Sequence, residues 1–461
     1  METTYRSSFF DRPLVEVLKP NWEKAIYLII FVLAVASRFW DVGARVMSHD
    51  ESLHALYSYY LYNGSGYVHN PMMHGPFLFH ANALIYFLFG DSDFTARIVP
   101  ALFGVFMVMS PLLLRRWLGR LGAIITAILL LISPSFLYYS RYIRNDIYIA
   151  VWTIVLIAAL FHFIQSHKPG WFFLGAAVLM LSLATKENAY IFGFIGLLYI
   201  IEVILWERVS RRNQIWLYVG GAALSLILLL AAYFLGRPLG GAEEAEGIVG
   251  VQKLVLSIVT VVGGTLPAVL ISASLIRSRH PKPSSVEEAL RTLSWQDWLI
   301  ALVLMFLIYA LLFTTFFTNL VGLGTGIFGS ISYWLAQQEV QRGGQPWYYY
   351  FLVLTMYDFL PFLFSMIATV FYLVRSLGRP PETEEIQETS EVQASGEEPP
   401  EEPAAIDGVP ATHPARSGLH SSDSDARFVA FLLFWNVSTL FNYSWAGEKM
   451  PWLVVHPVLP M

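Results

Sequence analysis

The 461-residue chain contains no cysteine, and only 14% of its residues are charged. The first absence excludes disulfides and cysteine-ligated metals, and leaves the redox compartment undetermined. The second excludes an ordinary soluble domain, in which about a quarter of residues carry charge. No basic patch points to nucleic acid. No Gly-rich nucleotide fingerprint sits on a strand–helix unit. No small-residue cleavage site follows the first apolar run, so that run is expected to be a retained span. No internal repeat is evident.

What the chain has instead is apolar length. Hydrophobic residues make up 56% and aromatics 15%, and the mean hydropathy is +0.54. The apolar residues come in runs near the ~20 residues that a bilayer-spanning helix needs. They are Lys24–Trp40, Phe94–Leu114, Gly119–Tyr139, Ile147–Gln165, Gly170–Ala184, Asn188–Trp206, Ile215–Leu235, Val251–Ile276, Trp298–Phe317, Tyr348–Val374 and Phe428–Tyr443. Helices close their backbone hydrogen bonds internally, as lipid demands. The expected fold is an all-α polytopic membrane protein with about eleven spans. Phe77–Phe89, with His80 and Asn82, is short for a crossing and is expected to lie at the interface.

Basic residues alternate between loops. Arg6, Arg12, Lys19 and Lys24 precede the first span. Arg115, Arg116 and Arg120 follow the second, then His167 and Lys168, then Arg208, Arg211 and Arg212. Arg277, Arg279, Lys282 and Arg291 come next, and Arg375 and Arg379 last. By the positive-inside rule these loops and the N-terminus are cytoplasmic, provided Phe77–Phe89 does not cross. The expected organisation is a cytoplasmic N-terminus 1–23, a transmembrane domain 24–376, a linker 377–426 and a C-terminal transmembrane segment 427–461. The linker is rich in Glu, Pro and Ser and cannot bury enough apolar surface to order itself. Met461 falls about ten residues into a new apolar stretch starting at Pro451, too short to span; the expectation is a fragment or a missing last span.

The other loops hold the unusual polar residues. Asp50 and Glu51 follow the first span, flanked by His49 and His54, with a short amphipathic helix expected over Leu53–Tyr62. The pair would cap that helix or do chemistry. His74-Gly75-Pro76 comes some twenty residues on, and Asp91 and Asp93 are expected to cap the second span. Arg97 is expected to snorkel to the surface. "YYSRYIRNDIY" brings Arg141, Arg144 and Asp146; "ATKENAY" brings Lys186 and Glu187; "WAGEKMPW" brings Glu448 and Lys449. Charges at membrane depth are costly, so the last two pairs are either self-paired ion pairs at helix turns or the lining of a cavity. His69, His74 and His80 with Asp50 or Asp146 could bind a divalent metal, although their spacing matches no compact motif. No cofactor is assigned. Tyr57, Tyr59, Tyr60 and Trp347–Tyr350 read first as an interfacial aromatic belt, and secondarily as contacts for a sugar or lipid chain.

In order, these motifs resemble the GT-C superfamily of membrane glycosyltransferases. The sequence is similar to protein O-mannosyltransferases and to the lipid A aminoarabinose transferase. Their pattern has an acidic pair in the first outer loop, a His-Pro-Pro or Lys-Pro-Pro segment, and an Arg at the next span start ahead of a Gly. Here Asp50-Glu51, His74-Gly75-Pro76 and "ARIVPALFG" match. Gly75 replaces the middle proline, which is expected to loosen the turn. "SRYIRND" resembles the second outer loop and "ATKENAY" a Lys-containing turn. "QRGGQPWYYY", with Gln345 and Trp347, and "GEKMPWL" look closest to a prokaryotic, bacterial or archaeal, subfamily sometimes labelled flippase-associated. The resemblance covers residues 24 to about 210 and thins to isolated motifs beyond.

The resemblance implies a GT-C helical bundle with juxtamembrane helices in the first outer loop. It also implies hexosyl- or mannosyl-type transfer, with inversion, from a polyprenyl-phosphate sugar at the extracytoplasmic face of the cell membrane. The acceptor would be a protein, lipid or glycan hydroxyl of the cell envelope. Asp50 would be the base, with Glu51, His74 and Asp146 beside it. Arg144 would hold the phosphate through its planar fork, helped by Lys186 or Lys449, with Arg141, Glu187, Glu448, Gln345 and Trp347 lining the site. Two other classes fit the composition. A lipid or lipid-linked-sugar flippase predicts inverted repeats and broken mid-span helices, neither evident in the sequence. A non-catalytic envelope-assembly subunit predicts no cavity around Asp50.

Overall fold

A computed structural model describes residues 21–190, 285–330, 344–377, 421–446 and 449–461, with residue 333 and scattered positions between 192 and 266. Parts of the expected spans Asn188–Trp206 and Ile215–Leu235, nearly all of Val251–Ile276, the basic residues Arg208 to Lys282, the linker to residue 420, and Glu448 lie outside these residues. Every regular element described is helical. The protein is an all-α, multi-pass membrane protein.

The first helix, α1 (Trp22–Phe39), starts at the N-cap Asn21. One side exposes Leu28, Ile29, Phe31 and Val32, while Tyr27, Ile30 and Ala34 are buried. Such broad apolar exposure suits lipid contact and no aqueous surface. From Thr95 to Ile132 helical residues run for 38 positions. At 1.5 Å per residue that is about 57 Å, nearly twice a bilayer core. Gly119 breaks the run, with φ of 70° that favours glycine. The result is α4 (Ile98–Met109) with its 3₁₀ extensions, then α5 (Arg115–Ile132), turning at the expected basic loop. Glu23 of α1 accepts from Arg115 and lies 3.6 Å from Arg120. The start of α1 and this turn therefore share one end of the bundle.

The remaining long elements are α7 (Asp146–Ser166), α8 (Pro169–Leu183), α9 (Trp295–Phe313) and α12 (Ser421–Trp445). Helix α8 packs along both α7 and α9, and α1 along α4. Among the described residues, three helical stretches are long and apolar enough to cross a membrane, or four with one bent pair.

That bent pair corrects the expected straight span over Tyr348–Val374. Helices α10 (Tyr349–Tyr357) and α11 (Phe359–Leu377) meet at 111° around Asp358. Pro361 explains the break, because its ring opposes the carbonyl four residues back and it donates no hydrogen bond. Asp358 accepts instead from Ser133 and Ser135, beside Pro134, where α5 gives way to α6 (Pro134–Tyr139). A broken helix is thus present where the sequence showed none.

Helix α2 (His49–Tyr62) begins four residues before the expected Leu53. Ser48 and Glu51 form a capping box, each satisfying a backbone N–H of the first turn. Helix α3 (Phe77–Phe89) lies against α2 and, with 13 residues, is shorter than a crossing. Two expectations at its exit are overturned. Ser92 and Thr95 exchange the capping hydrogen bonds, leaving Asp91 and Asp93 exposed. Arg97 does not snorkel; it is fully buried.

Candidate active site

The site is at the end of the bundle opposite Glu23. Its frame is the inward-turned Arg97. Its Nε and NH2 donate to Glu51 at 3.0 and 3.3 Å, and its NH1 donates to the carbonyls of Val42 and Arg45. Glu51 also accepts from Arg45 at 2.8 Å and from the Ser48 and Ile143 amides. Five donor groups on one carboxylate leave it no capacity for an acceptor. Glu51 therefore ties α2, α4 and the 140s loop together. Asp50, its neighbour in sequence, points the other way.

The Asp50 side chain is 30% exposed and receives the Arg144 NH1 at 3.0 Å. The Arg144 Nε is buried without a hydrogen-bond partner. Two residues on, Asp146 is fully buried, and its Oδ1 accepts from Lys186 at 2.7 Å and from His456 Nε2 at 3.0 Å. Lys186 and Glu187 are therefore not self-paired. Glu187 meets His74 Nδ1 at 2.7 Å. His54, on the turn after Asp50, is buried within electrostatic range of Arg144, His74 and Lys186, and burial pushes its imidazole down to about 3. Burial also lowers His74 despite the Glu187 carboxylate, and lowers His69 to about 4. Asp50, His74, Arg144, Asp146, Lys186 and Glu187 thus form one continuous polar cluster.

Gly75 makes that cluster close. A Cβ there would run into the Ala184 carbonyl. The Gly75 and Phe77 amides donate to the carbonyls of Thr185 and Ala184 at 3.2 and 2.9 Å. The expected loosening is therefore reversed: the glycine lets the 74–77 turn lie on the 184–185 backbone, and a proline would remove the first of these bonds. His74 is held in the left-handed region, with φ of 67°.

Other expected residues stand apart. The Arg141 guanidinium donates to the Trp40 carbonyl at 2.6 Å. Gln345 is exposed, and Trp347 is 67% exposed. Lys449 is buried and donates to the Ala446 carbonyl. Among the described residues no group of three or more His, Asp or Glu could hold a metal. His69 Nδ1 contacts Thr325 and His80 Nδ1 contacts the Pro76 carbonyl, apart from Asp50 and Asp146.

Two cavities flank the cluster. One, of about 790 Å³, is walled by Tyr138, Tyr139, Tyr142, Tyr349 and Trp452, with Arg45 and Arg141. The other, of about 480 Å³, runs along α7 from Ile149 to Ile164 and is almost wholly apolar. Sequence reasoning missed the stretch after Pro451, which folds back as a 3₁₀ turn and the short helix α13 (Val455–Val458). It delivers Trp452 and His456. Its one signal was an aromatic and an imidazole within an apolar stretch.

Residues 73–234 match the family model described as dolichyl-phosphate-mannose-protein mannosyltransferase. That interval includes His74, Arg144, Asp146, Lys186 and Glu187, and begins after Asp50. The crystal structure of ArnT from Cupriavidus metallidurans in the apo state superposes with a TM-score of 0.51 at 14% identity. The alignment covers 95% of this chain and 58% of that one, so the chain spans under two thirds of that protein's length. No curated protein matches. Together these agree with the resemblance: residues 73–234 are similar to that mannosyltransferase family, and the chain shares the fold of that ArnT structure.

Proposed function

We propose that this protein transfers a sugar from a polyprenyl-phosphate donor to an acceptor hydroxyl at the extracytoplasmic face of the cell membrane, with its N-terminus cytoplasmic. The observation that carries this reading is the Asp50–Arg144 contact at 3.0 Å beside an unpartnered Arg144 Nε. The Nε–NH2 edge of a guanidinium matches two phosphate oxygens. One arginine thus brings a carboxylate and a phosphate subsite within a single residue's reach.

Asp50 takes the proton of the acceptor hydroxyl as its oxygen bonds to the anomeric carbon. The bond from that carbon to the phosphate oxygen breaks, and polyprenyl phosphate leaves with the electron pair. A phosphate leaving group needs little acid help, so one carboxylate suffices, unlike the paired acids of glycosidases. Attack opposite the departing phosphate inverts the anomeric centre. The groove along α7 suits the prenyl chain, because it is apolar and starts one turn from Asp146. The aromatic cavity suits the acceptor.

Asp50→Asn in the full chain tests this. Transfer of labelled sugar from a polyprenyl phosphate is expected to fall at least a hundredfold while insertion and melting stay unchanged. Full activity would remove Asp50 from the role. The bend at Asp358 is a feature a flippase would share. A protein that scrambles fluorescent polyprenyl phosphate across vesicles but transfers no sugar would favour that reading.

A further inference from the structure

The stretch from Met450 to Val458 is an apolar turn with no charge of its own, yet it meets both halves of the polar cluster. The Tyr350 hydroxyl donates to the Met450 carbonyl at 3.1 Å and fixes its start. Pro451 opens the 3₁₀ turn. The Arg144 Cζ then lies 3.9 Å from the centroid of the Trp452 ring. One helical turn on, His456 reaches Asp146, with its ring stacked on Tyr443 at 5.3 Å and 11°. Leu453, Val454, Val455 and Val458 are buried, so the turn is seated in the main core.

We propose that this segment is a positioning wall of the site, in which the Trp452 face holds the Arg144 guanidinium with its Nε edge directed away from Asp50. The inference rests on Arg144 as the phosphate-binding residue. An arginine side chain has many rotamers open to it. Asp50 alone would draw the whole fork into a bidentate pair, leaving neither a free base nor a free phosphate edge. Drawing the whole fork onto Asp50 would pull the cation off the indole face, which attracts it only at close range. His456 serves the same wall by fastening it to Asp146 and, through that carboxylate, to Lys186.

The test uses the full-length protein in detergent or nanodiscs, with undecaprenyl phosphate as the binding probe and undecaprenyl-phosphate mannose as donor. Trp452→Leu is expected to weaken undecaprenyl phosphate binding, and to raise the KM for the donor, about tenfold. The change in kcat should be under threefold. Trp452→Phe, which keeps a ring face, should recover most of the loss. Wild-type affinity in Trp452→Leu, or equal loss in Trp452→Phe at an unchanged melting temperature, overturns the inference. If Trp452→Leu does not fold, Trp452→Phe and Trp452→Tyr decide: near-wild-type KM in both supports the wall, and a tenfold rise in both sinks it. Arg144→Ala checks the underlying reading separately. Unchanged probe binding there would remove Arg144 as the phosphate holder, and this inference with it.

Discussion

The Arg97 Nε donates to the Glu51 Oε1 at 3.0 Å, and neither side chain exposes any surface. Removing one partner of such a pair leaves an uncompensated buried charge, which costs about 3–5 kcal/mol. Glu51→Gln and Arg97→Met should each lower the melting temperature sharply and deplete the monodisperse peak in size-exclusion chromatography. Arg97→Lys should fare nearly as badly, because one ammonium cannot reproduce a fork serving a carboxylate and two carbonyls. A Glu51→Gln protein that melts like wild type but loses activity would instead give Glu51 a direct part in the chemistry.

Gly75 faces the Ala184 carbonyl with no space for a methyl group. Gly75→Ala is expected to cost about 1–3 kcal/mol and to separate His74 from Glu187. Gly75→Pro should cost more, since it also removes the N–H donated to Thr185. Thermal melting of the three proteins checks the order. Stability of Gly75→Pro equal to wild type would mean that the turn tolerates the His-Pro-Pro pattern after all.

The pH dependence of stability has a definite sign. His54 and His69 have folded values near 3 and 4, against about 6.5 unfolded. Below pH 6.5 the unfolded chain takes up protons that the folded chain refuses. Stability is therefore complete above about pH 6.5 and is lost as pH falls toward 4. Each group contributes up to about 1.4 kcal/mol per pH unit across that window. Melting temperatures between pH 7.5 and 4.5 should fall, and His54→Asn should flatten the decline. An identical slope in that variant would show that His54 is not held neutral.

Much of the fold was legible because lipid leaves few options. A long apolar run must be helical, and the ends of α1, α4, α7, α8 and α9 lie within a few residues of the runs read for them. The basic turn at 115–120 was readable for the same reason. The capping box at Ser48 was legible too, as Ser and Glu three apart, yet the helix was expected to start four residues later. Arg97 misled because snorkelling is the usual course of an arginine at a span end, and only the fold supplies a buried carboxylate to reverse it. The break at Asp358 had Pro361 as a local sign within a long apolar run.

The sequence by itself determined the class of molecule and the order of its polar motifs, since both follow from where apolar length stops and charge begins. It could not determine which charges meet. Asp50 and Glu51 are adjacent, yet the partly exposed Asp50 faces Arg144 and the buried Glu51 faces Arg97, because α2 turns successive side chains about 100° apart. Lys186 and Glu187, in the turn after α8, also diverge, toward Asp146 and His74. Trp452 and His456 reach the site from some 300 residues along the chain. Those pairings depend on how helices pack, and only the tertiary structure decided them.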